Sequence, residues 1–140
     1  MDAPFSVSLG VRSYELDPQG HVNGAVYVQY ADHALWECVR AAGIDPGRMP
    51  ETGVGPVNLE THIRFVRELR AGDEVTVSCA FEWSDGRTFR VVREFHDRAG
   101  RLVAHVTTVT GLLDLTVRRL VDDPARRWRS LAERPHLLGL

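Results

Sequence analysis

One stretch constrains the fold of this chain more than any other. Residues 24–43, GAVYVQYADHALWECVRAAG, carry its only long helical pattern, and nearly everything after them reads as strands. Val28, Ala31, Leu35, Val39 and Ala42 recur at helical spacing, and Ala25, Ala34 and Cys38 widen the apolar arc. Asn23 stands at the N-cap and Gly43 just past the end, although Val26 at the third helical position gives no capping box. The pattern predicts a helix of roughly 19 residues, about 28 Å long at 1.5 Å per residue. So wide an apolar arc calls for a helix enclosed by other structure rather than one lying on a surface.

The flanking segments have period two. Phe5, Val7, Leu9 and Val11 alternate with polar or small residues, and Asp17-Pro18-Gln19-Gly20 breaks the strand with turn chemistry. Ile44 to Pro56 reads as a connection with a short helical turn, Gly53-Val54-Gly55 being loop. Strand patterns follow over 57–65, 75–83, 89–96 and 102–115, separated by short turns, with a bulge expected near Gly111. Asp122 and Asp123 before Pro124 mark a helix start, and 126–133 reads as a short surface helix. The order predicts an α+β fold: a five-stranded antiparallel sheet wrapped around one central helix. The expectation is a single domain over 1–140, its core at about 5–120 and its tail at 121–140. The outer face and edges of such a sheet need a partner, so a homo-oligomer is expected.

Composition narrows the function. The 140 residues are 44% hydrophobic and 26% charged with a net charge of -2, so no global basic field recruits nucleic acid or an anionic membrane. All 17 basic residues are arginine, which removes lysine as a Schiff-base nucleophile. Cys38 and Cys79 lack a CxxC partner or zinc-type spacing and read as buried free thiols. No charged-then-apolar leader precedes Phe5, and no apolar run approaches ~18 residues. These features predict a soluble, reduced, cytoplasmic protein.

The chemistry-bearing residues cluster before the helix. Asp17 lies in a turn just ahead of a helix N-terminus, whose free N–H groups could polarise a carbonyl while the carboxylate attacks it or activates water. The competing reading is an Asx-turn aspartate. His21, four residues on, could pair with Asp17 in acid–base work or hold the turn. His33 and Glu37 have helical i, i+4 spacing, but no third ligand accompanies them, and no metal or other cofactor is expected. There is no GxSxG elbow and no phosphate-binding GxxxxGK[ST] loop. Tyr27 and Tyr30, near neighbours on the helix, read either as pocket lining or as packing residues.

The run LDPQGHVNGAVYVQYADHALWE resembles the signature of hotdog-fold acyl-CoA thioesterases of the 4-hydroxybenzoyl-CoA thioesterase type, approximately D-x-x-G-H-V-N-N-x-x-Y-x-x-Y-x-E-x-A-R. Asp17, Gly20, His21, Val22, Asn23, Tyr27, Tyr30 and Ala34 match it, and Asp32 replaces Glu. The stretch 62–77, HIRFVRELRAGDEVTV, resembles the family's aromatic strand and G-D turn. The resemblance implies a thioester hydrolase acting on acyl-CoA or acyl-carrier protein, with its active site between paired subunits. Asp17 would be nucleophile or general base, the backbone amide of Gly24 would hold the thioester oxygen, and His21, Asn23 and Tyr27 would contact substrate. Arg64, Arg67, Arg87, Arg90 and Arg93 are candidates for the nucleotide phosphates, against the reading of exposed sheet-face arginines.

Three departures bear on that expectation: Gly24 replaces the second Asn, Leu35 the usual Arg, and Glu68 a common proline, the last expected to affect only its loop. A non-hydrolytic acyl-thioester binder is the competing function, and a hotdog dehydratase ranks below it.

Overall fold

A computed structural model describes residues 4–140. The chain runs β1 (Phe5–Gly10), α1 (Gly24–Ala41), β2 (Val54–Phe65), β3 (Glu74–Glu82), β4 (Thr88–Asp97), β5 (Leu102–Asp114), β6 (Arg119–Leu120) and α2 (Pro124–Leu131). The sheet is antiparallel in the order β1-β3-β4-β5-β2, with β6 pairing β5 beside this path. It curls around α1, the arrangement of the hotdog fold. The expected five strands are present; the short sixth carries no signal of its own, because two residues cannot show a period.

Helix α1 forms where the pattern places it. The Asn23 side chain accepts a hydrogen bond from Ala25 N–H at 3.0 Å, supplying the cap. Gly43 at φ +95° ends the helix in the left-handed conformation that glycine tolerates best. Its buried side carries Tyr27, Tyr30, Ala31, Ala34, Leu35, Cys38 and Val39, while Val28 is only half-buried. The helix packs chiefly on β3 and β1 and touches β4 and β5 more sparingly. The inner face of β2 therefore stays open: Thr61 and Phe65 are exposed, and Ile63 is half-buried. Both cysteines are buried free thiols.

Three local expectations change. The bulge lies not at Gly111 but in the partner strand, where Leu59 is extra between the pairs Asn58–Thr110 and Glu60–Val109. Gly111 instead makes room for β6, since a Cβ there would sit 2.6 Å from Leu120 Cδ2. The Gly53-Val54-Gly55 loop is partly strand: Gly53 at φ +85° closes the 3-10 turn Pro46–Thr52, and β2 starts at Val54. Finally, α2 is not merely a surface helix. Trp128 is completely buried, its ring 6.0 Å from Phe81 and 6.3 Å from Phe89. The chain after α2 is tied down as well, with Trp83 Nε1 donating to the Leu138 carbonyl at 2.7 Å.

Candidate active site

The turn before α1 is held rigidly by buried polar contacts. The Glu15 carboxylate, 9% exposed, accepts from the Tyr30 hydroxyl at 2.6 Å and from Arg12 N–H at 2.8 Å. Burial and the Glu15 contact both push the Tyr30 hydroxyl pKa up, so this phenol is an anchor rather than a titrating group. A bridge between Leu16 and Val22 closes the loop, and Val22 N–H donates to the Leu69 carbonyl at 2.8 Å. The segment after β2 is thereby drawn against the helix start. Glu15 has no signature in the sequence beyond a capping-type spacing within its own turn.

Within this loop Asp17 does two things. Oδ1 accepts from Gln19 N–H at 2.9 Å, the Asx-turn contact, while Oδ2 lies 3.9 Å from His21 Nδ1. The other ring nitrogen of His21 lies 3.4 Å from a Glu68 oxygen. His21 thus stands between two carboxylates, one of them at the position expected to matter only to a loop. That expectation for Glu68 is corrected: its side chain borders the site, where it also pairs with Arg70 at 2.6 Å.

A cavity of about 410 Å³ opens at the helix start, lined by His21, Gly24, Tyr27, Phe65, Arg67 and Glu68 among others. Tyr27 is 3% exposed and meets Phe65 edge-on, ring centres 5.1 Å apart. Burial, then the nearby Glu68 charge, raises the Tyr27 hydroxyl pKa, which keeps it a neutral donor at physiological pH. Gly24 presents its backbone to this space, and its N–H has no backbone or side-chain acceptor among the described residues. A free amide at a helix N-terminus beside an apolar wall is a ready seat for a polarised oxygen.

The structure brings His21, Gly24 and Tyr27 to one cavity and sets Asp17 behind His21. Asn23 is not among the lining residues; its side chain is spent on the cap. Of the five arginines, Arg67 borders the cavity, whereas Arg87 and Arg90 are tied to Asp122 and Glu82. Arg93 is the clear correction. It is fully buried on the inner face of β4, its Nη2 donating to Thr108 Oγ1 at 3.0 Å, and so is not available to an external phosphate.

The sequence profile of the thioesterase-like superfamily matches residues 11–131. The chain belongs to that superfamily. It is 38% identical over 71 residues to the chloroplastic acyl-acyl carrier protein thioesterase ATL3 of Arabidopsis thaliana, an overlap covering 51% of this chain and 37% of that protein. The match thus spans little more than a third of the length of the curated relatives. Among solved structures, the Staphylococcus aureus protein SAV2348, determined in complex with CoA, superposes with a TM-score of 0.80 at 18% identity, covering 91% of this chain and 80% of that one. The 1,4-dihydroxy-2-naphthoyl-CoA thioesterase of Synechocystis gives a TM-score of 0.80 at 17% identity, over 91% and 93% of the two chains. At these identities the superpositions establish the hotdog fold.

Proposed function

We propose that this superfamily member hydrolyses an acyl thioester carried on coenzyme A or an acyl carrier protein, releasing free acid and thiol. The observation that carries the reading is that Gly24, whose N–H has no acceptor among the described residues, lines the same cavity as His21, which lies beside Asp17. The thioester oxygen would accept from Gly24 N–H, which stabilises the charge that develops as the carbonyl carbon becomes tetrahedral. Asp17 would serve as nucleophile, giving an anhydride that water opens, or as general base toward that water. In both routes a C–O bond forms and the C–S bond breaks, and the thiolate leaves to take up a proton. Tyr27 and His21 would contact the substrate, while Asn23 contributes by fixing the helix start. Arg67, which lines the cavity, would be the arginine to meet a phosphate of the substrate.

The free edge of β2 favours a homo-oligomer in which two copies join sheets and complete the site. Leu59, Phe65 and Val66 on and just after that strand are 50%, 56% and 44% exposed, an apolar edge that a partner would cover. No described helix is long and apolar enough to cross a membrane, and a cytoplasmic location is part of the proposal. The competing function, acyl-thioester binding without turnover, draws on one observation: Asp17 does not itself line the cavity, and one of its oxygens is held by the Asx-turn.

A panel of acyl-CoA and acyl-carrier-protein substrates assayed by thiol release separates the two. Hydrolysis by the wild type, with a loss of at least ~100-fold in Asp17→Asn, is the expected result. Equal rates in wild type and variant would remove Asp17 from the mechanism, and tight binding without release would establish the binder.

A further inference from the structure

Strand β2 ends the strand order and pairs with β5 alone, yet it is one of the longest strands of the sheet. Five consecutive residues, Asn58 to His62, are exposed, and so are Arg64 and Phe65. Exposure that does not alternate means that both faces of the strand lack cover. The opposite edge differs: β1 is half as long and alternates exposed with half-buried residues.

By strand alternation Glu60, His62 and Arg64 share the outward face of β2. Their neighbours across β5 are Val109, Thr107 and His105, so no carboxylate meets Arg64 and no cation pairs with Glu60 among the described residues. Elsewhere on the sheet exposed charges do find partners, Arg90 with Glu82 at 3.7 Å and Arg98 with Glu74 at 2.9 Å. Glu60 and Arg64 therefore stand as opposite charges without partners, at equal spacing on either side of His62.

That spacing has a consequence for self-association. Two copies of one strand paired antiparallel are related by a two-fold axis, and the residue on the axis faces its own copy. With His62 on the axis, Glu60 faces Arg64 of the partner subunit, and Arg64 faces the partner's Glu60. His62 meets the partner's His62, and two imidazoles can share a proton as an N–H···N bond. On the inner face Ile63 lies opposite the partner's Thr61, and the exposed Phe65 comes beside the partner's Leu59. Neighbouring registers lose this match. An axis at Thr61 sets Arg64 against the partner's Asn58, and an axis at Ile63 sets it against the partner's His62.

We propose that two copies of this chain join through β2 in one register, with His62 on the two-fold axis and a Glu60–Arg64 pair on each side of it. The inference rests on the homo-oligomer proposed above and adds the residues that set its alignment. Both helices then lie on the same side of one continuous sheet. Phe65 walls the cavity at Gly24 and Tyr27, so the second copy closes that side of each site.

Charge exchange tests the register without any need for turnover. Sedimentation velocity over a dilution series gives the dimer Kd, and circular dichroism checks the fold of each variant. Glu60→Arg and Arg64→Glu should each weaken the dimer about 10- to 100-fold, because two attractive pairs become repulsive. The double variant Glu60→Arg, Arg64→Glu restores both pairs and should return the Kd to within about threefold of wild type. Mixing the two single variants should give a heterodimer, resolved by native mass spectrometry, well above the half expected from random exchange. Single variants that dimerise as tightly as wild type would overturn the register, as would a double variant that stays weak or a mixture with no heterodimer excess. A monomeric wild type reads differently: it would remove the homo-oligomer itself, and the register with it.

Discussion

Replacing Gly24 by proline removes the proposed oxyanion donor while asking little of the fold. Gly24 is the first residue of α1, and its N–H has no acceptor to lose. Proline is favoured at this position because its ring fixes a helical φ and its missing donor is already an orphan. The preceding residue suits it as well, since Asn23 has φ −59° and ψ 137°, within the extended range that a following proline demands. Gly24 itself is not in the left-handed region, and a Cβ there would meet Phe65 Cζ at 3.6 Å, an ordinary contact. Stability should therefore change by less than about 1 kcal/mol. Catalysis should change by far more, because loss of one such donor costs about 100- to 1,000-fold in kcat, or about 2.7–4 kcal/mol. Gly24→Ala is the matched control: it adds the same Cβ and keeps the N–H. Thiol-release kinetics give kcat and KM for both variants, and urea titrations give stability. A kcat for Gly24→Pro within about threefold of Gly24→Ala, both folded, would refute the amide's role, whereas a rise in KM alone would mark a steric effect of the ring.

Three further outcomes are expected. Trp128→Ala should cost about 3–5 kcal/mol in urea unfolding, as for other buried aromatics; Trp128→Phe should cost much less, because the Trp128 Nε1 it removes has no partner among the described residues. A loss under about 1 kcal/mol for the alanine variant would mean that α2 is not part of the core. Light scattering at micromolar concentration should show a dimer or a larger homo-oligomer, and a monomer there would count against a site completed by a second subunit. Stability should fall below about pH 4. Backbone N–H groups of Arg101, and of Val117 and Thr116, hold the Asp97 and Asp114 carboxyls below their ordinary value of 3.8. A depressed folded-state pKa gives stability that is present above the unfolded value and lost as pH falls through the folded one. The double variant Asp97→Asn, Asp114→Asn should flatten that acid limb, and an unchanged slope would assign it to other groups.

The large elements could be read because each expresses one dominant period over many residues. The helix pattern of 24–43 and the alternation over 75–83 and 89–96 report which side of each element is buried, and one apolar core satisfies them all. The misses arise where a pairing partner, rather than a local pattern, decides. A glycine in β5 suggested a bulge, but a bulge belongs to two strands at once, and Leu59 of β2 holds the extra residue. The helix at 124–131 is polar over most of its surface and buries only Pro124 and Trp128, one turn apart, too few to show a period. Its burial is set by Phe81 and Phe89, more than thirty residues earlier in sequence.

The site divides along the same line. Asp17, His21, Asn23, Gly24 and Tyr27 are local in sequence, so their turn and cap geometry is legible before any coordinates. Glu68 reaches the cavity from the segment after β2, Arg93 lies in the core away from it, and no spacing connects either to Asp17. Arg93 could still have been singled out by one available signal. In β4, the positions Phe89, Val91, Arg93 and Phe95 share a parity, so an arginine falls where alternation demands an apolar residue. Read as strand surface, it looks like a phosphate ligand; read by parity, it must point at the helix. A charge at a core position carries a desolvation cost that a hydrophobic residue of similar volume would avoid. Arg93→Met should then be neutral or stabilising in urea unfolding, and a loss of more than about 3 kcal/mol would show instead that the buried charge is paired and holds the fold.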